Sequence, residues 1–261
     1  MAYETLIYEK RNNIGYITFN RPDKMNFLDR KVAPDVHQVL DEIEEDLEVR
    51  VLIITGAGKA FSAGADIQWL EAGTRSPFEL YVDHDKLMKL CLRLERLRIP
   101  VIAAINGYAM GGGFELLTAC DVRVASENAK MGMTEVTLGI MPGAGGTARL
   151  PRIVGKAKAL ELELTGEVIT AREAFEIGLL NKLVPEGEAV KAAEEIANKI
   201  AKNAPQAVWQ IKSAIQIGTD MPLEGASDYC QKNSMMTIAT KDGAEGLKAW
   251  VEKRPPVWQG K

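Results

Sequence analysis

Residues 106–116 read Asn-Gly-Tyr-Ala-Met-Gly-Gly-Gly-Phe-Glu-Leu, and the rest of the 261-residue chain is arranged around this junction. An apolar run, Val101 to Ile105, predicts a buried strand before it, and Phe114 to Ala119 predicts the first turns of a helix after it. Each glycine is less favourable than alanine in ordered backbone by roughly 0.5–1 kcal/mol. We therefore expect a site that needs bare backbone N–H groups, which suit a ligand oxygen carrying negative charge. Glu115 follows at once and could face the same ligand.

The segments on either side of this junction alternate between strand-type and helical patterns. Apolar residues at helical spacing, such as Val32 and Val36, mark one face of each predicted helix. Strands are predicted at about 5–10, 14–20, 51–55, 101–105, 121–125 and 180–184, and helices at about 29–48, 77–97, 114–119, 156–164, 171–177, 188–203, 205–217, 222–239 and 242–252. The alternation before Gly143 predicts an α/β fold, and helices dominate after it.

Composition excludes several classes of protein. Apolar residues make up 46% of the chain and charged residues 26%, as in an ordinary folded domain, and the net charge of −4 does not favour nucleic-acid binding. The three cysteines are widely spaced, and His37 and His84 are interpreted as surface or packed residues, so neither a disulfide framework nor a metal site is expected. With no signal pattern and no membrane-span-length apolar run, we expect a cytoplasmic protein without membrane contact.

Two other glycine-rich stretches match nucleotide-binding motifs only in part. Gly56-Ala57-Gly58-Lys59 lacks the leading glycine of a phosphate-binding loop, because Ile53 stands in that position. Ala60 also replaces the Ser or Thr that should follow the lysine, so this interpretation fails. Residues 143–148 fit Gly-x-Gly-x-x-Ala, but no strand of normal length precedes them, which leaves the strand–turn–helix context weak.

Glu135 is a second carboxylate in an unusual setting. It lies in a loop-like stretch, Met131 to Gly145, that is rich in glycine, methionine and proline. An acidic side chain in apolar company is either exposed or used in chemistry, and for a single glutamate exposure is the simpler explanation. Paired with Glu115 across the strand predicted at 121–125, Glu135 becomes a candidate acid/base partner, and the two carboxyls could face one cavity.

The order of these motifs resembles one family. Phe-Ser-Ala-Gly-Ala-Asp-Ile at 61–67, the stretch at 106–116 and residues 135–146 follow one another as the motifs of the crotonase (enoyl-CoA hydratase/isomerase) superfamily do, and residues 252–261 are similar as well. The resemblance covers essentially the whole chain. It implies a crotonase-like spiral of ββα units over residues 1–199, followed by helices over residues 200–261 that assemble a homotrimer or homohexamer.

The resemblance also implies a coenzyme A thioester as ligand. Glu115 and Glu135 would be the catalytic residues, and the N–H groups of Ala63 and Gly112 would form an oxyanion hole for the thioester carbonyl. The acyl-CoA would lie along Lys24, Met25, Phe27, Ala63, Gly64, Ala65, Asp66, Ile67, Gly111, Gly112, Pro142 and Gly143. Phe27 stands where the family commonly has a small residue, which bears on the shape of the channel. The acyl pocket would include Trp69, Leu70, Tyr81, Ile140 and Met141. Neither a metal nor a cofactor besides the substrate is expected.

The acidic residues discriminate among the reactions of this superfamily, because its fold serves several of them. Its hydratases carry two glutamates at the positions of Glu115 and Glu135, whereas simple double-bond isomerases typically keep only the second. Dienoyl-CoA isomerases add an aspartate where this chain has Gly143. The resemblance therefore implies an enoyl-CoA hydratase, which adds water reversibly and in a syn sense to 2-trans-enoyl-CoA to give 3-hydroxyacyl-CoA.

Two alternatives stay open at this point. One is another crotonase-type reaction, such as enoyl isomerisation or hydration of a cyclic or branched enoyl-CoA, and it depends on the shape of the acyl pocket. The other, from a different class, is a binding role toward RNA or a protein partner. The acidic face at residues 41–48 and the negative net charge disfavour RNA, so no nucleic-acid partner is expected.

Overall fold

The main sheet of the protein has six strands. The computed structural model describes residues 3–68 and 76–260. In spatial order the strands are β1 (Leu6–Arg11), β2 (Ile14–Phe19), β3 (Val51–Gly56), β5 (Val101–Ile105), β7 (Val122–Ser126) and β10 (Lys182–Val184). The first two form an antiparallel hairpin, and every other neighbouring pair is parallel. Parallel pairing requires crossover connections, which the intervening helices supply.

A second sheet of four short strands was not predicted from the sequence. Its strands, in spatial order, are β4 (Ala60–Ser62), β6 (Tyr108–Met110), β8 (Lys130–Gly132) and β9 (Ile169–Thr170). The first three each follow directly after a long strand of the main sheet and pair in parallel with one another. Segments of two or three residues are too short to show the alternation of apolar and polar side chains that marks a strand, so they were not predicted as strands. The repetition of long strand, short strand and helix is the predicted spiral of ββα units.

The helices cover both sheets and then continue alone to the C-terminus. They are α1 (Val32–Glu45), α2 (Pro77–Arg96), α3 (Gly112–Thr118), α4 (Gly146–Val154), α5 (Lys156–Thr165), α6 (Ala171–Glu176), α7 (Ala189–Ala201), α8 (Pro205–Gly218), α9 (Leu223–Ile238) and α10 (Lys241–Glu252), with short 3-10 turns at Pro22–Lys24 and Glu135–Leu138. Nearly all were predicted to within a few residues. The exception is α4, because Pro151 lies inside it and a proline there argues against a helix.

The main sheet is buried on both faces. Alternate residues of β3 belong to different clusters: Leu52 and Ile54 pack with α1 and α2, whereas Ile53 packs against alanines of α7. A strand covered on both faces is apolar at every position, which is why the pattern showed continuous runs rather than alternation. The carboxyl ends of these strands lead into the short sheet, where the glycine stretch lies.

The C-terminal helices are joined to this core by specific contacts. Lys212 on α8 is buried and forms an ion pair of 2.7 Å with Asp121, which directly precedes β7. The indole N–H of Trp258 donates to the carbonyl of Lys202, and Asp242 accepts from the N–H groups of Gln259 and Gly260. The division of function at residue 200 stays a prediction. In the part of the chain that the structure describes, none of the helices is long and apolar enough to cross a membrane.

Candidate active site

The side-chain amide of Asn106 and a close backbone contact at Gly107 fix the start of the glycine stretch. Oδ1 of Asn106 accepts a hydrogen bond of 3.2 Å from the N–H of Gly56, and its Nδ2 donates to the carbonyl of Gly58 at 3.0 Å. A Cβ added at Gly107 would lie 2.0 Å from the carbonyl oxygen of Lys59, so only glycine fits. The loop after β3 and the turn after β5 are thereby held against each other.

Three stretches that the sequence assigned to the ligand site meet here. The carbonyl of Gly64 accepts from the N–H of Leu28 at 2.8 Å, which joins the 61–67 motif to the turn at 24–28. Gly64 has a φ of +81°, and a Cβ there would lie 2.5 Å from the carbonyl oxygen of Met110 and 3.1 Å from the amide nitrogen of Gly112. The two backbone segments therefore approach so closely that position 64 must be glycine.

The prediction that Ala63 donates to a ligand is not supported by this geometry. Its N–H already donates to the carbonyl of Met25 at 2.9 Å, and that bond holds the 61–67 motif against the turn at 24–28. The N–H of Gly64 is likewise engaged, by Oγ of Ser62 at 3.2 Å. Ala65 differs, since none of the described residues accepts a hydrogen bond from its N–H. Sequence pattern cannot distinguish these neighbours, because the distinction depends on a partner distant in the chain.

The other predicted ligand residues surround the same region with graded exposure. Gly111 and Gly112 are buried; Met25, Phe27, Ala65, Asp66 and Pro142 are half-buried; Lys24, Ile67 and Gly143 are exposed. Of the predicted acyl-pocket residues, Tyr81, Ile140 and Met141 are exposed, whereas Trp69 and Leu70 lie outside the described residues. A site with buried glycines at its base and apolar side chains at its rim is suited to a long, partly apolar ligand. The binding roles of these residues stay predictions.

Glu115 is a buried carboxylate held by backbone donors. It lies on α3 with 3% of its surface exposed, and its Oε1 accepts from the N–H groups of Ala144 and Gly146, each at 2.8 Å. Burial raises the pKa of Glu115, and the two N–H groups act against that rise. Arg149, and to a smaller extent His84, also lowers the pKa of Glu115. The surroundings of Glu115 thus compensate in part for the cost of keeping a buried carboxylate ionised.

Glu135 lies against the same glycine stretch with a different environment. A Cβ added at Gly111, the residue before α3, would lie 3.0 Å from Oε1 of Glu135. Its Oε2 is buried and has no hydrogen-bond partner among the described residues. Burial, together with the neighbouring carboxyls of Glu115 and Glu163, raises the pKa of Glu135 to about 7, against the effect of a hydrogen bond from its own backbone N–H. The two predicted carboxylates therefore act on each other electrostatically, and Glu135 is the one that favours its protonated form.

The loop that holds Glu115 contains the stretch that only partly matched a nucleotide motif. Its N–H groups at Ala144 and Gly146 bind a carboxylate of the chain itself. Arg149 stabilises the loop: its Nη1 donates to the carbonyl of Ala144 at 2.8 Å, and its Nε and Nη2 form a bidentate ion pair with Glu95. These contacts were missed by sequence reasoning, although the glycines at 143, 145 and 146 were a usable signal of close backbone approach.

His84 is exposed, as expected for a surface or packed residue, and it lies against the loop that holds Glu115. A Cβ added at Gly143 would lie 2.6 Å from Nδ1 of His84, so the imidazole covers the start of the loop that holds Glu115. An aspartate at position 143, as in dienoyl-CoA isomerases, would meet this ring. Within the described ranges, 3–68 and 76–260, His, Cys, Asp and Glu form no group of three or more that could hold a metal ion.

Comparison with known proteins agrees with this arrangement. A sequence profile of the family described as Enoyl-CoA hydratase/isomerase matches residues 9–261. The chain is 42% identical to the short-chain-enoyl-CoA hydratase of Clostridium acetobutylicum, covering 97% of both proteins, and 38% identical to the (E)-benzylidenesuccinyl-CoA hydratase of Thauera aromatica, covering 97% of this chain and 98% of that protein. It superposes on the crystal structure of an enoyl-CoA hydratase from Bacillus anthracis with a TM-score of 0.95 and 40% identity, covering 99% and 100% of the two chains.

Proposed function

The chain belongs to the enoyl-CoA hydratase/isomerase family, and we propose that it adds water reversibly to a 2-trans-enoyl-CoA to give the 3-hydroxyacyl-CoA. The observation that carries this proposal is a pair of carboxyls: Glu115, which is buried within the glycine stretch, and Glu135, which is half-buried and lies against Gly111 of the same stretch. Burial raises the pKa of both carboxyls, but two backbone N–H groups and Arg149 oppose the rise at Glu115, whereas two neighbouring carboxyls add to it at Glu135. Water addition needs one carboxylate and one carboxylic acid.

The two carboxyls divide the proton transfers of this reaction. Glu115 holds the water and removes one of its protons while the water oxygen forms a bond to the β-carbon. The electron pair of the double bond moves toward the thioester oxygen and gives an enolate-like species. Glu135 then transfers its proton to the α-carbon, which restores the thioester carbonyl. A positioned acid or base typically contributes 10²- to 10⁴-fold to the rate.

Backbone N–H groups stabilise the charge that develops on the thioester oxygen. We assign this role to Gly112, as the resemblance implies, and to Ala65 in place of Ala63. The N–H of Ala63 is bound to Met25, whereas that of Ala65 is not engaged by the described residues, and Gly64 brings the two segments together. Loss of one donor of this kind costs about 3 kcal/mol in the barrier.

The substrate would enter along the turn at Lys24, Met25 and Phe27 and the motif that continues to Ile67. Beyond the two carboxyls, Pro142 and Gly143 would border the acyl group, and Tyr81, Ile140 and Met141 would offer it apolar surface. Tyr81 and Met141 are each more than 60% exposed, so this surface can still cover a ligand. The relatives named above act on short-chain and on aryl-substituted thioesters, so straight, branched and cyclic substrates should all be assayed. The reaction needs no cofactor beyond the substrate itself.

Glutamine substitutions test the assignment of the two carboxyls. We expect Glu115→Gln and Glu135→Gln each to lower kcat for hydration by at least 10²-fold, because each removes one proton transfer without changing the size of the side chain. The double variant should lose far less than the product of the two single losses, since groups that act as a unit are not additive. Loss of enoyl-thioester absorbance measures hydration, and affinity for a CoA ester should change little.

The same variants distinguish hydration from double-bond isomerisation. An isomerase needs a single carboxyl to move a proton, so Glu115→Gln would leave conversion of a 3-enoyl-CoA substrate intact. Hydration that survives Glu115→Gln, together with good isomerisation, would refute the hydratase assignment and favour isomerisation.

The C-terminal helices form the subunit interface in this proposal, in a homotrimer or homohexamer. Helices α8 to α10 carry large apolar side chains that the chain itself leaves uncovered, including Trp250 at 85% and Leu223 at 84% exposure. Further exposed apolar residues on these helices are Ile211, Ile215, Met235, Met236, Leu247 and Val251. Patches of this extent are typical of protein–protein interfaces.

A further inference from the structure

Helix α5 packs against the 3-10 turn that begins at Glu135. At the end of this helix, a Cβ added at Gly166 would lie 2.8 Å from Cγ2 of Thr137 and 3.0 Å from Cγ1 of Val136. Glu163 lies one turn before Gly166, is half-buried, and was not singled out from the sequence. The packing of the two elements places a third carboxyl beside the proposed acid of the reaction.

Two carboxyl oxygens in this contact are buried without partners. Oε2 of Glu135 and Oε1 of Glu163 both lack a hydrogen-bond partner among residues 3–68 and 76–260. Glu135 otherwise accepts from its own backbone N–H, and Glu163 from the Thr147 hydroxyl. A carboxylate with one buried, unpartnered oxygen is costly to ionise, and two such groups near each other cannot both ionise easily. The arrangement therefore retains a proton on one of them near neutral pH.

The charges around each carboxyl determine where that proton resides. In the described part of the chain, the charged groups that act on Glu135 are the carboxyls of Glu115 and Glu163, with no cation among them. The Thr147 hydroxyl favours the ionised form of Glu163, although burial opposes it. The ionised form of Glu115 is favoured by Arg149, by His84 and by two backbone N–H groups. Of the three carboxyls, Glu135 has the least support for a negative charge.

We propose that Glu163 is a positioning residue that keeps Glu135 protonated, and hence able to act as the acid, by presenting a negative charge beside it. This inference rests on the proposed hydratase function and extends it to a residue outside the catalytic pair. Removal of the Glu163 charge would make Glu135 easier to ionise. The enzyme would then lose its acid at a lower pH.

The sign of the effect follows from the role of Glu135. Burial and the two neighbouring carboxyls raise the pKa of Glu135 to about 7. A general acid works while it is protonated, so the kcat of the unaltered protein should fall as pH rises through about 7, with an apparent pKa that belongs to the coupled carboxyls. Loss of one like charge nearby should move this alkaline limb downward by roughly half to one pH unit.

The test is the pH profile of kcat in Glu163→Gln, with Glu163→Met as a second variant that also removes the charge. We expect an unchanged kcat on the acidic plateau, an unchanged KM and an alkaline limb displaced to lower pH. Above the limb, this displacement corresponds to about a 3- to 10-fold loss of rate. A merely structural role would lower the rate equally at every pH.

Glu161→Gln is the matched control, because Glu161 lies on the same helix but is exposed and paired with Lys158. Its limb should coincide with that of the unaltered protein. The proposal is overturned if the alkaline limbs of both Glu163 variants also coincide with that of the unaltered protein. A loss of rate that is equal at every pH would overturn it too. Failure of the proposed function gives a different result, because the unaltered protein would then show no hydration at any pH.

Discussion

At the scale of single residues, the three consecutive glycines lie in three different environments. Gly111 has a φ of +51°, which favours glycine, and it faces Glu135. A Cβ at Gly113 would lie 2.4 Å from the carbonyl oxygen of Ser62, on a strand of the short sheet. A Cβ at Gly112 would have Cδ2 of Leu87 as its nearest neighbour, at 3.3 Å. Conformation at Gly111 and close backbone approach at Gly113 are therefore separate reasons for glycine, whereas position 112 is limited only by a side chain that can shift.

Alanine substitutions separate these reasons. We expect Gly113→Ala to lower both thermal stability and hydration strongly, because its Cβ would push α3 away from backbone that cannot yield. Gly112→Ala should be much milder, since Leu87 can shift slightly and the N–H donor remains. Thermal unfolding and hydration rates of the two variants provide the comparison. Equal losses would show that the close approach at Gly113 is not what requires glycine there.

At the scale of elements, helix α8 is joined to the core through a buried ion pair. Nζ of Lys212 contacts Asp121 at 2.7 Å and donates to the carbonyls of Leu94 and Ile99. Asp121 accepts further from the backbone N–H of Val101 and from Gln216. One ammonium group thus ties α8 to the end of α2, to the following loop and to the start of β7.

Lys212→Met should destabilise the protein by about 3–5 kcal/mol, because it leaves the carboxylate of Asp121 buried without its cation. The free energy of unfolding from urea denaturation measures this loss. Arg152→Met is the control: Arg152 pairs with Asp220, next to the end of α8, but both side chains are about 60% exposed. That pair should contribute at most about 1 kcal/mol. A loss of similar size in both variants would contradict the role given to Lys212.

At the scale of the whole molecule, the exposed apolar side chains are concentrated on helices that follow the core. The site residues lie at the carboxyl ends of the strands and in the short sheet, whereas Trp250 and Leu223 remain uncovered on α10 and α9. The chain packs a separate apolar cluster against each face of its main sheet and leaves these helical faces without cover. Association of identical chains would bury them.

Trp250→Glu should therefore lower the oligomeric mass measured by sedimentation, since a charge would have to be buried in the proposed interface. Helical content by circular dichroism should change little. Leu47→Glu serves as the control, because Leu47 is also exposed but follows α1, outside the C-terminal helices. An unchanged mass for Trp250→Glu would show that this side chain lies outside any interface.

The long strands, nearly all the helices and both catalytic candidates were predictable from the sequence. The run at 101–105 is apolar at each position because its strand is covered on both faces, and helix α2 begins at a capping box of Ser76 and Glu79. Signals of this kind are local: they depend on residues within one or two turns of each other. The same holds for the glycine stretch and for the acidic residues at 115 and 135.

The tertiary structure decided the pairing of the short sheet, the hydrogen bond that engages the N–H of Ala63, and the charges around Glu135. Each of these depends on a partner distant in the chain: β4 on β6, the N–H of Ala63 on Met25, and Glu135 on Glu163. A strand of two or three residues is too short to show alternation of apolar and polar side chains. The sequence also does not indicate whether a given backbone N–H donates a hydrogen bond within the protein. A carboxyl in isolation has an ordinary pKa, and only burial beside other carboxyls changes it.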